Sequence, residues 1–212
     1  DSARVDSLHL VEIHAVSSFG IGQSARNLGS GIHVESRVLQ QFFTQNPNEV
    51  AATVPGLMAR DEDGFGLRMN WGIRGTGTER SSRIVLMEDG VLTAPAAYSA
   101  PAAYYQPSVL RMAGIEVTKG SSQIAAGPQR TGGAINFLSS PVDLKQRIKF
   151  RSALGSYGSA FAHSQVSLGG PRWATSVEWL RQHSNGFRQL DGRGPGGTGL
   201  DLNEWVVKSQ LR

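Results

Sequence analysis

Five histidines, seventeen acidic side chains and no cysteine bound the chemistry this chain can carry. Without thiols there is no cysteine nucleophile, no thiolate zinc site and no disulfide. His9, His14, His33, His163 and His183 never come at the i, i+3 or i+4 spacing of a helical metal pair, so each reads as a satisfied or exposed ring. Glu88 and Asp89 are adjacent carboxylates, but neighbours on a strand point to opposite faces, and Asp89 is required by a turn. Asp61-Glu62-Asp63 reads as a solvated loop, with weak calcium binding as the alternative. Gly75-Thr76-Gly77-Thr78-Glu79-Arg80 lacks the third glycine of a dinucleotide fingerprint, and neither a Gly-x-Ser-x-Gly elbow nor a phosphate loop occurs. No catalytic constellation assembles, so an enzyme is not expected.

One set of charges does form a pattern. Lys145, Arg147, Lys149 and Arg151 fall at spacing two, which on a strand puts all four on one face, with Leu144, Ile148, Phe150 and Leu154 on the other. Such a strand suits a sheet between water and something apolar. The formal net charge of +4 and pI near 9.8 have the same origin. Residues 1–142 carry 11 Lys/Arg against 12 Asp/Glu, and residues 143–212 carry 10 against 5. A basic excess confined to the C-terminal third does not call for nucleic acid.

The elements that would position these residues divide into two kinds. Val34 to Phe43 places Val34, Val38, Leu39, Phe42 and Phe43 at helical spacing, predicting an amphipathic helix. A second helix is well punctuated: Asn46 caps, Pro47 takes the first position, Glu49 sits where a capping box wants an acid, and Pro55-Gly56 stops it. Ile84 to Glu88, Asp89-Gly90 and Val91 to Thr93 read as strand, tight turn and return strand. Pro107 to Ala113 predicts a helical turn with Gly114 as its left-handed stop. Ile115 to Thr118 and Ala134 to Leu138 follow as short strands. The longest uncharged run, Gly90 to Leu110, is broken by Pro95, Pro101 and Pro107, so no transmembrane helix is expected.

After residue 143 the pattern alternates. Runs over Lys145 to Leu154, Ala160 to Leu168, Trp173 to Arg181 and Leu202 to Leu211 are separated alternately by short turns and by the glycine-rich Ser184 to Gly199. Strands of about ten residues joined in this way are the pattern of a transmembrane β-barrel. A soluble antiparallel sandwich gives much the same pattern strand by strand; strand length and the long loop favour the barrel.

Six short motifs occur in order: Pro55-Gly56-Leu57, Ile73-Arg74-Gly75, Met87-Glu88-Asp89-Gly90, Ile115-Glu116-Val117-Thr118-Lys119-Gly120, Gly127-Pro128, and Gly132-Gly133-Ala134-Ile135-Asn136-Phe137. Together they resemble the plug domain of TonB-dependent outer-membrane receptors, and Ser82-Arg83-Ile84 through Asp89-Gly90 to Ala94-Pro95 and Tyr98 resembles the ferric dicitrate receptor branch. The resemblance implies an α+β plug, a small mixed β-sheet with short helices, followed by the first antiparallel strands of a barrel of about 22 strands. The chain would then be a fragment of a larger receptor: an extended segment over residues 1–19, the plug over 20–143, and three to four barrel strands over 144–212.

The family's activity is import of a scarce metal chelate, driven by TonB and its inner-membrane energising complex. For this chain that implies an outer membrane of a Gram-negative bacterium as location, membrane lipid as surroundings and a ferric chelate, dicitrate or siderophore, as ligand. Iron would travel only within the chelate, with no covalently bound cofactor. Asp6-Ser7-Leu8-His9-Leu10-Val11 looks like a degenerate TonB box, a segment able to add as a strand to a partner's sheet edge. Arg74 is the first ligand-binding candidate, because a guanidinium fork suits carboxylate or hydroxamate oxygens; Tyr98, Tyr104, Tyr105 and Gln106 would wall the pocket. Lys119 stands where the family more often has an arginine in a plug-to-barrel ion-pair latch. In the dicitrate branch a polar residue is expected beside the apical tyrosine, whereas Tyr98 is followed by Ser99-Ala100-Pro101, which leaves siderophores open. Cobalamin or oligosaccharide import by the same architecture and a soluble β-rich binding module are the competing readings.

Overall fold

The structure is a computed structural model that describes residues 30–41, 46–93, 100, 105–120, 131–188 and 198–211. It divides into two compact units at Ser139/Ser140.

In the first unit, β1 (Ser30–Glu35), α1 (Ser36–Gln41), α2 (Pro47–Thr53), β2 (Leu57–Arg60), β3 (Asn70–Ile73), β4 (Ile84–Glu88), β5 (Val91–Leu92), β6 (Met112–Lys119) and β7 (Gly133–Ser139) follow in chain order. Five of these strands form one mixed sheet in the order β1-β6-β7-β4-β5, with β4 and β7 parallel and the other pairs antiparallel; β2 and β3 make a separate hairpin. Residues on one face, including Ile84, Leu86, Ile115, Val117, Ile135 and Phe137, pack with Trp71, Ile73, the α2 residues Val50 and Ala51 and the C-cap Val54 into the main core. Val85, Met87 and Ala134 are buried on the opposite face, which accounts for the unbroken apolar run in β4.

The local punctuation works as expected at α2. Asn46 Oδ1 accepts the Asn48 N–H at 2.9 Å, and Pro47 occupies the first turn, where its missing N–H costs nothing. Asp89 (φ 51) and Gly90 (φ 81) form the two-residue turn between β4 and β5, a left-handed pair that matches strand twist. Asp89 also accepts the Ser139 N–H at 2.8 Å, tying the turn to the end of β7.

Two expectations fail. Val34 and Glu35 belong to β1, paired with Ile115 and Gly114, and the helix starts only at Ser36; pairing with a distant strand overrides the helical spacing. Gly114 is not a helix stop but lies inside β6. A Cβ there would meet His33 Cε1 at 3.0 Å and the Val34 carbonyl oxygen at 3.1 Å, so glycine lets β1 approach. The helical turn ahead of it shrinks to a 3-10 turn over Val109–Arg111.

The second unit is a four-stranded antiparallel sheet: β8 (Arg147–Leu154), β9 (Ala160–Gly169), β10 (Trp173–Ser184) and β11 (Leu200–Leu211), in that order across the sheet. β9, β10 and β11 are long enough to cross a bilayer when tilted. Register makes the two faces opposite in character. Ile148, Val166, Val177 and Val207 form one row across all four strands, and Phe150, Ser164, Trp179 and Trp205 the next. On the other face run Arg147, Ser167, Ser176 and Lys208, then Lys149, Gln165, Glu178 and Val206. The apolar face is the exposed one: Ile148, Phe150, Trp205 and Val207 are each more than 60% accessible, while Gln165, Ser167, Ser176 and Glu178 are buried. A soluble sandwich would do the reverse, so the sheet is built to meet hydrocarbon with its Val/Trp face. Trp173 lies at the short-turn end. Toward the other end come the Trp179 and Trp205 rings (centroids 6.0 Å apart) and then the Arg181–Asp201 ion pair at 3.0 Å, the order expected at a membrane–water boundary. Ile148→Arg, in the Val166–Val177–Val207 row between the tryptophan positions, is therefore expected to lower folding stability in a bilayer by about 2–4 kcal/mol, and Ser152→Arg, in the Arg181 row, by less; urea titration of the receptor in vesicles checks the order.

Candidate functional site

Three constellations stand out. At one end of β6, Ile73-Arg74-Gly75-Thr76 forms a tight turn in which Arg74 (φ 52) and Gly75 (φ 82) are both left-handed and Thr76 N–H bonds the Ile73 carbonyl at 3.2 Å. The turn is pinned from below by Arg74 N–H to the Gly56 carbonyl (2.8 Å). Its side chain is exposed and runs toward Gly120, where a Cβ would sit 3.1 Å from Arg74 Nη1. Lys119, only 5% exposed, closes β6 on the core-facing side and donates to the Pro55 carbonyl at the end of α2. Burial holds the Lys119 ammonium below its ordinary value, and the neighbouring Arg74 charge pushes it the same way. Three of the six sequence motifs thus converge on a two-cation end of the plug.

The sign of the Lys119 shift gives a prediction. A lysine with a lowered folded pKa binds fewer protons in the native state than in the unfolded state, so stability rises as pH climbs through the folded pKa toward the unfolded value near 10.5. Denaturant titrations across that range are expected to show a rise in the wild-type protein and a smaller one in Lys119→Met.

About eight residues away, some 25 Å along the strand at its usual rise, lies the second constellation. Arg111, 1% exposed, places Nη1 at 2.6 Å from Glu88 Oε1 and Nη2 at 2.5 Å from the Tyr105 hydroxyl, which donates to Glu88 Oε2 at 3.0 Å. Gln106 donates Nε2 to the Gly66 carbonyl. Tyr105 and Gln106 therefore serve internal contacts and do not converge with Arg74. Tyr98, Tyr104 and the segment Asp6 to Val11 lie outside the described residues.

The third constellation is on the polar face of the strand unit. His163, 2% exposed, has Nε2 at 2.5 Å from Glu178 Oε1 and Nδ1 at 2.8 Å from Arg151 Nη2. An arginine can only donate, so Nδ1 is the acceptor and the Nε2 proton points at Glu178. Register alone brings the three together; the spacing-two pattern found Arg151, but no local signal marks His163 or Glu178.

Among the described residues no group of three or more His, Cys, Asp or Glu side chains is placed to hold a metal ion. Asp61 and Asp63 accept the backbone N–H groups of Gly64 (2.9 Å) and Phe65 (2.7 Å), the work of loop-forming aspartates.

A mixed-sheet domain with short helices, followed by strands that are polar on one side and apolar on the other, defines a plug followed by part of a membrane barrel. The chain belongs to the TonB-dependent receptors: residues 25–134, just over half of it, match the TonB-dependent Receptor Plug Domain family. The fold is similar to that of the ferric citrate transporter FecA in its unliganded form (TM-score 0.66, 22% identity, 86% of this chain and 28% of that one). It is also similar to the ferric yersiniabactin uptake receptor FyuA from Yersinia pestis (0.70, 22%, 89% and 29%) and the siderophore receptor PiuA from Acinetobacter baumannii (0.60, 20%, 77% and 22%). The chain spans less than a third of the length of these receptors, and its four barrel-type strands form an open sheet.

Proposed function

We propose that the chain is the gate and first wall of a TonB-coupled importer of a ferric chelate, a polycarboxylate or siderophore, in the outer membrane of a Gram-negative bacterium. The observation that carries this is the pairing of a plug-family domain with a sheet whose apolar face is exposed. A sheet of this kind needs closure in lipid, and a closed barrel needs a plug to remain selective. The similar solved receptors are described as handling ferric citrate, ferric yersiniabactin and siderophores, which favours iron chelates as cargo.

In this reading Arg74 is the plug's chelate-facing cation: exposed on a left-handed turn, it presents a rigid fork to carboxylate or hydroxamate oxygens. Tyr98 and Tyr104 are the aromatic ligand candidates; Tyr105 and Gln106 are held by internal bonds toward the other end of β6 and share no surface with Arg74. Lys119 is the plug's half of an ion-pair latch to a barrel carboxylate, an anion that would relieve the charge crowding with Arg74. Residues 6 to 11 form the TonB box, and TonB supplies the force. Iron enters as cargo inside the chelate. Growth of a strain lacking its own receptors, complemented with the full-length protein on ferric citrate, ferric siderophores, cobalamin or oligosaccharide as sole source, tests the reading. Rescue by an iron source is expected; rescue only by cobalamin or sugar overturns the cargo assignment.

A further inference from the structure

On the polar face of the strand unit a cavity of about 450 Å³ lies between residues 141–145 and the start of β8. Pro141, Val142 and Leu144 give it an apolar wall, and Lys145, Arg147 and Lys149 a cationic one. At its floor are the buried side chains of Gln165 and Ser167, which register sets opposite Lys149 and Arg147. One carboxylate is present, and it is already committed: Asp143 accepts the Lys145 backbone N–H at 3.1 Å and pairs with Arg147 at 3.4 Å. The Lys145 and Lys149 ammonium groups make no ion pair or side-chain hydrogen bond among the described residues. The cavity therefore carries three cations against one carboxylate, which Arg147 and Lys145 share, beside an apolar wall and in the size range of small-molecule sites.

We propose that this cavity binds a small organic polycarboxylate, at the short-turn end of the strands and remote from the long loop joining β10 to β11. Two ammonium groups neutralise separate carboxylates, and Pro141, Val142 and Leu144 cover the carbon skeleton, for which an inorganic anion has no use. The inference deepens the transport reading and rests on it for the source of the anion: a chelate leaving the loop-side surface meets a second, weaker station on the inner wall. Lys149 lies near the start of β8, whereas Lys145, which the sequence spacing puts on the same strand, sits in the bend two residues before it; the wall opposite them becomes visible only in the fold.

The test is calorimetric titration of iron-free citrate into the purified full-length receptor in detergent. Wild-type protein is compared with Lys145→Gln/Lys149→Gln, Lys149→Gln alone, and Arg181→Gln at the opposite strand end as control. A saturable citrate component is expected that weakens with salt, falls about tenfold in the double variant and about threefold in Lys149→Gln, and is unchanged in Arg181→Gln. Absence of that component in the wild type, or its persistence at full strength in the lysine variants, overturns the proposal. So does a double variant that melts earlier yet binds citrate normally, since the lysines would then serve carboxylates elsewhere in the receptor. Failure of the transport reading registers separately, as lack of growth on any iron chelate with citrate binding intact.

Discussion

Arg111→Ala is expected to cost about 3 kcal/mol of stability, enough to shift a urea midpoint by about 1.5 M at a typical slope. The guanidinium is buried with 1% exposure and holds Glu88 and Tyr105 together beside the turn of the β4–β5 hairpin. Truncation strips the Glu88 carboxylate of its countercharge and leaves a void where a buried side chain stood. Glu88 retains about a fifth of its side-chain exposure, which places the loss at the lower end for a broken buried pair. Arg111→Met combined with Glu88→Gln is expected to recover part of the loss, because a neutral pair leaves no uncompensated charge. Equal destabilisation in Arg111→Met alone and in Arg111→Met with Glu88→Gln would mean that packing, not charge, sets the cost.

What the sequence disclosed tracks how local each cause is. Asn46-Pro47 and Asp89-Gly90 act through their own backbone angles and nearest N–H groups, so the α2 start and the β4–β5 turn are legible within a few residues. The faces of β8 to β11 are legible too, since alternation needs only the pleat. Pairing is different. Val34 carries helical spacing yet sits in β1 because Ile115 lies opposite it, and nothing near Val34 announces that partner. The parallel β4–β7 pair, the Glu88–Tyr105–Arg111 group and the Arg151–His163–Glu178 group each depend on register between segments far apart in sequence. For the candidate site, Arg74 and Lys119 were both legible as motif residues, whereas their meeting at one end of β6 was not.

Removal of residues 6 to 11 from the full-length receptor is expected to abolish uptake while leaving chelate affinity within about twofold of wild type. Asp6-Ser7-Leu8-His9-Leu10-Val11 is short and free of proline and glycine, so it can be extended and donate backbone N–H groups to a partner's sheet edge. A milder variant makes the mechanism specific. Leu8→Pro keeps the length of the segment but removes one N–H and fixes one backbone angle, and is expected to cut uptake at least about tenfold. Leu8→Thr, which preserves the backbone donor, is expected to retain most of it. Loss of chelate binding in the deletion would instead assign this segment to the ligand surface, and unchanged uptake would remove it from the coupling step.

The central claim is that binding and entry are separate events, the first made by the plug-and-barrel surface and the second driven by energy supplied through TonB. It is tested most directly by following labelled iron, offered as ferric citrate or as a ferric siderophore, into cells whose sole importer is the full-length receptor, with and without a protonophore. The account predicts rapid surface binding of one of these chelates in both conditions and intracellular accumulation only in energised cells. Accumulation that continues at the same rate in the presence of the protonophore, or energised cells that neither bind nor accumulate any of the chelates, would contradict it.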